Sequence, residues 1–232
     1  MNGFAWALAG FVLLHVGVSA TGLRPRLIER FGEGPYRIAF SLLSIALLAA
    51  LVLGFGAMRA DPFDPLNQYV WLPSEPLRWA AKALMLLALL LAVPGVLTPG
   101  PTYAGFETKG LAAEEPARGI LRITRHPFLW GVALWALAHL LTNGERYAIT
   151  LFGALGAMAL YGTRSIDRKG RARHPEGWAK FEAVTSNIPF AAIIQGRNRL
   201  ALGEIGWRLA AALVVFVLLY FGHGALFGVS VL

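Results

Sequence analysis

Six apolar stretches divide this chain, and they leave it few folds to choose from. They run from about Gly3 to Gly22, Ile38 to Ala57, Trp79 to Leu97, Ile123 to Leu141, Tyr147 to Gly162 and Trp207 to Phe227. A bilayer span needs about 17 to 25 such residues. Inside hydrocarbon every backbone polar group must be satisfied within the segment, so each run is expected to be a helix. The chain is therefore expected to be an all-α, polytopic membrane bundle of about six transmembrane helices, forming a single domain over residues 1–232. Its composition agrees, with 56% hydrophobic and only 15% charged residues, too apolar for an ordinary soluble domain.

The fourth and fifth runs are the weakest. Thr142 to Arg146 is a short link and Tyr147 to Gly162 barely spans, so the two read as a tight helical hairpin. Gly153, Gly156 and Gly162 fit close helix packing there. Met1-Asn2 gives the first run no charged start, and no cleavage site follows it, so a secretory signal is not expected. There is no internal repeat, no low-complexity stretch and no cysteine.

Cations sort the loops into two kinds. The first loop carries Arg24, Arg26, Arg30 and Arg37, the third Lys109, Arg118, Arg122 and Arg125, and the fifth runs from Arg164 to Arg199 with eight Lys and Arg. The second and fourth are poor in them. By the positive-inside rule three basic loops face the cytoplasm and both termini face away from it. The net charge of +8 thus reports membrane orientation, and no nucleic-acid partner is expected. Trp71, Trp79, Trp130, Trp178 and Trp207 fall near run boundaries, as an aromatic belt requires.

Two histidines lie inside apolar runs: His15 in GFVLLHVGVSA and His139 in FLWGVALWALAHLL. An ionisable side chain in hydrocarbon is costly and points to function, and imidazole is a common ligand for iron. Ser19 and Asn143, one turn beyond each histidine, are positioned to orient the rings, and Gly10, Gly17 and Gly131 leave room for a flat ligand. Trp135 shares a helical face with His139. If both helices span fully, the two histidines differ in depth on the order of 15 Å. Interhelical hydrogen bonding is the plainer alternative use of both.

The segment Gly119 to Gly131, GILRITRHPFLWG, carries the most specific local signal. Pro127 suits a first helical turn, and the free amides there suit an anion. Arg122, Arg125 and His126 are expected at the cytoplasmic headgroup level, either as interfacial anchors or as part of a pocket. Gly177 to Ala183 reads as an amphipathic stretch resting on lipid headgroups; alternatively, Glu182, Asn187 and Arg197 wall a pocket beneath Arg125 and His126. His174, in a second His-Pro pair, belongs to the same basic region, and His223 sits near the outer end of the last run.

Arg122-Ile-Thr-Arg-His-Pro127, then Trp130-Gly131 and Leu134 to His139, resembles the signature of the NnrU family of bacterial membrane proteins. His15 ahead of Gly34-Pro35-Tyr36-Arg37, Thr185 to Phe190, and Gly196-Arg197 fit the same pattern. The pattern is similar to that of 15-cis-zeta-carotene isomerases and, more distantly, of isoprenylcysteine carboxyl methyltransferases, which implies a methyltransferase-like membrane fold. The isomerase likeness implies haem b with His15 and His139 as axial ligands, Trp135 beside them, His126 not a ligand, and redox-gated cis-trans isomerisation of a lipophilic small molecule. His223 is the alternative ligand. The methyltransferase likeness implies S-adenosylmethionine near Arg125, His126 and the stretch Pro175 to Glu182, although Phe128-Leu129-Trp130 departs from that pattern. The NnrU likeness implies a bacterial inner (cytoplasmic) membrane and an association with denitrification. That association suits a non-catalytic assembly or sensing protein equally well.

Overall fold

The computed structural model describes residues 3–103 and 105–231; Met1 and Asn2 lie outside the described residues. The chain is all-helical, with no strand among the described residues. Helix α1 (Gly3–Val12) continues into a π-helical turn, Leu13–Val18, that contains His15. The chain then bends by 83° into α2 (Leu23–Phe31), an amphipathic helix with no buried residue. There follow α3 (Glu33–Ala60), α4 (Glu75–Val96), α5 (Pro127–Thr142), α6 (Arg146–Arg173), α7 (Pro175–Val184), the single turn α8 (Ala191–Ile194) and α9 (Leu202–Phe227). Pro127 and Pro175 each open a helix directly after a histidine, where a missing N–H costs nothing.

Three helices, α3, α4 and α9, are long and apolar enough to cross a membrane, and the bent pair of α1 and α2 makes a fourth if it counts as one broken span. Leu53 on α3 and Leu218 on α9 are 76% and 65% exposed, as lipid-facing side chains are. The expected fourth span starts late: Ile123 to His126 lie outside the helix, leaving α5 only 16 residues. The expected fifth, α6, runs eleven residues past Gly162, and that extension is charged. Length and composition thus support three to four spans and not clearly six.

Contacts nonetheless sort the loops by end. The first, third and fifth meet at one end, where Arg24 faces Glu107 at 3.6 Å, Lys169 Nζ donates to the Ser19 carbonyl, and Arg122 pairs with Glu204 at 2.8 Å. The second and fourth meet at the other end, where Val70 N donates to the Gly144 carbonyl and Arg146 N to that of Gln68. Arg59 there donates to the carbonyls of Phe227 and Gly228.

The core near this second end is apolar and aromatic, built from Phe4, Leu51, Ala136, Tyr147 and Phe152 with Trp135 packed against it. Helices α4 and α5 approach closely because Gly131 has no side chain. A Cβ there would stand 2.7 Å from Ala92 Cβ and 2.8 Å from the Ala88 carbonyl. Gly156 and Gly162 likewise face Ala136 and Leu129 at 3.2 and 3.3 Å, whereas Gly153 faces open space. Gly131, Gly156 and Gly162 therefore serve helix packing, and Gly153 does not. Gly131 and Gly10, whose Cβ would meet Leu47 at 3.0 Å, leave no room for a flat ligand.

Gly131→Ala must displace α4 backbone, and overpacking of this kind costs about 1–3 kcal/mol. A lowered melting temperature in detergent is expected for Gly131→Ala and an unchanged or raised one for Gly153→Ala, both read by thermal unfolding.

Candidate functional site

The two intramembrane histidines share one arrangement. His15 Nδ1 lies 2.9 Å from the Phe11 carbonyl and His139 Nδ1 lies 2.9 Å from the Trp135 carbonyl, each one turn back along its own helix. The nitrogen facing a carbonyl carries the proton, which leaves each Nε2 as a lone pair with no partner among the described residues. That is the tautomer a metal ligand needs. The expected orienting side chains play other parts: Asn143 Nδ2 donates to the His139 backbone carbonyl, and Ser19 offers its carbonyl to Lys169. His139 stacks on Phe152 at 4.5 Å with Trp135 at 4.7 Å. His15 lies against Phe11 and edge-on to Phe40, at 4.2 and 5.3 Å.

Those neighbours fix the depth of each ring. Phe152 touches Phe55, whereas His15 touches Phe40, and fifteen residues of continuous α3 separate the two, about 22 Å of helix. Helix α6 measures the same gap: from Phe152 to Lys169, which bonds one turn beyond His15, is about 25 Å. A single iron needs both Nε2 atoms on opposite faces within bonding reach. The pairing of His15 with His139 on one haem b therefore does not fit this conformation, and the expected difference in depth is, if anything, larger. No group of three or more His, Cys, Asp or Glu able to hold a metal occurs among the described residues. His223, whose Nδ1 is engaged by the Val229 carbonyl at 2.7 Å, lies within electrostatic range of His139.

At the basic end the Arg-His-Pro segment is interior. Arg122, Arg125 and His126 are all buried, which corrects the expectation that they face headgroups. Burying cations requires paired acids, and Asp167 and Glu204 supply them. Arg125 Nε and Nη2 donate to the two Asp167 oxygens at 2.9 Å each, His126 Nε2 donates to Oδ1 at 2.7 Å, and Asn187 Nδ2 reaches Oδ2 at 3.2 Å. Arg125 also donates to Glu182 at 2.9 Å, and Arg171 closes on the same carboxylate. Arg122 is held by Glu204, Glu115 and Asn198. Arg197 caps the last carbonyls of α7, those of Glu182 and Ala183, along with that of Thr185.

Most side chains expected to hold S-adenosylmethionine are thus bonded to one another. Arg125 and Glu182 form one ion pair, and His126 keeps only Nδ1 free, buried and without a partner. That atom's residue lines a cavity of about 250 Å³ with Tyr103, Phe128 and Leu129. His174 lines the neighbouring cavity, so the two His-Pro histidines do converge on one region. The residue missed in the sequence is Asp167. An acid inside Arg164-Ser-Ile-Asp-Arg-Lys169 was its signal, masked by the surrounding cations.

Desolvation holds His126 below the ordinary imidazole range, so it is neutral and donates from Nε2. Burial pushes the Asp167 carboxyl up, but the hydrogen bonds from His126 and Arg125 outweigh it and hold the group well below the usual carboxylate range.

Both shifts place proton uptake on the unfolded chain. Stability is full above the unfolded values and is lost as pH falls, first below about 6.5 through His126 and then below about 4 through Asp167. Thermal melts from pH 8 to pH 3 are expected to show this decline, with its upper stage absent in His126→Gln. Asp167→Asn removes the bidentate partner of the buried Arg125, leaving it only Glu182, and is expected to cost about 3 kcal/mol at neutral pH.

Comparison with known proteins gives the lineage. The chain is 30% identical over 190 residues to the chloroplastic 15-cis-zeta-carotene isomerase of Zea mays, covering 82% of this chain and 50% of that protein. It is 32% identical over 195 residues to that of Arabidopsis thaliana, covering 81% and 49%. The chain thus spans about half the length of the curated relatives it matches. No solved structure matches. The family described as NnrU protein matches residues 3–231, essentially the whole length, and the chain belongs to that family.

Proposed function

We propose that this protein is a membrane-embedded cis-trans isomerase of a lipophilic polyene. The observation that carries this reading is the identity of 30% and 32% to 15-cis-zeta-carotene isomerases, across more than four-fifths of the chain. The chemistry of the site is compatible with it: isomerisation needs no net redox equivalents and no water, and His139 lies among apolar aromatic rings. Substrates of this class are expected to arrive from the bilayer, toward which α3 and α9 present apolar side chains.

The proposal includes six crossings of a bacterial cytoplasmic membrane, with α5 and α6 as a hairpin and both termini opposite the basic loops. The sorting of loops by end supports this arrangement. Reporter fusions after Arg173 and at the C-terminus are expected to report opposite sides; a shared side would remove the six-span arrangement.

His15 and His139 stand at different levels of the bundle, so the two together do not hold one haem b in this conformation. Were haem bound, His139 would be the residue to hold it, through the Nε2 left free by its bond to Trp135, with His223 within electrostatic range. Absorption spectra of the purified protein, oxidised and reduced, are expected to lose or shift the haem bands in His139→Ala but not in His15→Ala. Equal loss in both would mean that the iron draws the two histidines to one level.

The activity itself is tested with 15-cis-zeta-carotene in liposomes containing the oxidised or the reduced protein. A shift of isomer ratio toward the 15-trans form, absent in His139→Ala, is the expected result. Unchanged isomers in both redox states would overturn the isomerase reading.

A further inference from the structure

Two cavities open side by side at the basic end and share Thr102, Tyr103 and Ile166 in their walls. The wider, about 360 Å³, is lined by four cations, Arg24, Arg37, Lys169 and Arg173, against one carboxylate, Glu107. Glu107 answers Arg24 at 3.6 Å, and Arg37 is engaged from outside by Glu33 at 2.8 Å. Lys169 donates only to a backbone carbonyl, and Arg173 makes no hydrogen bond or ion pair among the described residues. Positive charge in this cavity is therefore under-compensated.

Donors in the same walls are also left over. Trp178 is 1% exposed, yet its indole N–H has no acceptor, and the Tyr103 hydroxyl is buried without a partner. Both residues line the cavity, and buried donors are nearly always bonded, so an unmatched indole N–H beside under-compensated cations suits an acceptor that bears negative charge. Burial first, then the charges of Arg24, Arg173 and Arg168, bring Lys169 down to about 8, and an anion beside it would offset the part due to those charges.

We propose that this cavity binds a phosphate-type oxyanion, its charge met by Lys169, Arg173 and Arg24 and a remaining lone pair by the Trp178 N–H. The narrower cavity beyond Tyr103 is largely apolar, with Phe128 and Leu129 on its wall, and gives a nonpolar substituent of the anion somewhere to lie. The anion can be a soluble phosphate compound or the headgroup of an anionic lipid, since both present the same oxygens. The site is separate from His139 and does not depend on the isomerase reading.

The test uses the full chain in phosphatidylcholine nanodiscs, titrated calorimetrically with pyrophosphate, beside native mass spectrometry of protein reconstituted with phosphatidylglycerol. Wild-type protein is expected to bind pyrophosphate, and the double variant Lys169→Gln/Arg173→Gln to bind it at least about tenfold more weakly. Trp178→Phe, which keeps the ring and removes the N–H, is expected to weaken binding severalfold, and it carries the test should the double variant not fold. Absence of pyrophosphate binding with retained phosphatidylglycerol adducts, lost in the same variants, assigns the site to a lipid headgroup. Neither ligand bound, or binding equal in wild type and folded variants, would overturn the proposal.

Discussion

The buried Asp167 carboxylate organises the basic end of this protein. Its two oxygens receive Arg125 and His126 from one stretch of chain and Asn187 from another. One acid therefore joins the segment before α5, the helix α6 and the segment after α7. Without that charge, Arg125 would be a cation with little solvent and only part of its pairing. The same segment is fastened again through its backbone. Arg125 N donates to Ser186, the Phe190 amide to Ile123, and the Thr124 hydroxyl and Trp130 indole both to Asn187. The Arg-His-Pro segment is therefore a structural hub, and α5 starts where the hub releases the chain.

That hub explains why α5 is short. Ile123 and Thr124 are apolar enough to extend a helix, and hydropathy alone runs the fourth segment through them. Their amides instead turn back to the Ile120 carbonyl, while the Ile123 carbonyl accepts from Phe190 N and the next amide, Arg125 N, donates to Ser186, so the helix begins only at Pro127. A partner sixty residues away decides the boundary, and no local pattern records it. The helical class, the hairpin of α5 and α6, and the clustering of basic loops follow from local hydropathy and charge, and these were legible. The burial of Arg122 and Arg125 was not, because a cation is placed in water by composition until its acid is known.

The histidines divide in the same way. Their special status was readable from an ionisable group within an apolar run, and both do present a free Nε2. Their orientation was misassigned, since the side chains of Ser19 and Asn143 were the visible candidates while the carbonyls of Phe11 and Trp135 are common to any sequence. At His15 the helix widens to a π turn, a departure often found at functional sites, and no sequence rule forecasts it. Level, too, is a property of the assembled bundle. It became measurable only once Phe40 and Phe55 on one continuous helix touched the neighbourhoods of the two histidines.

The two ends of the bundle consequently offer different chemistry. Around His139 the walls are aromatic, and charge there is confined to the rim, so a lipophilic molecule gains by entering and an ion does not. At the basic end, cations outnumber acids in the cavity, while the acids of the hub are already engaged. An acid added to balance Lys169 and Arg173 from within the chain would have quenched that field, as Asp167 quenches Arg125. Its absence beside an unpaired indole N–H distinguishes the cavity from the hub: the hub is closed by its own side chains, whereas the cavity is left for an anion from outside.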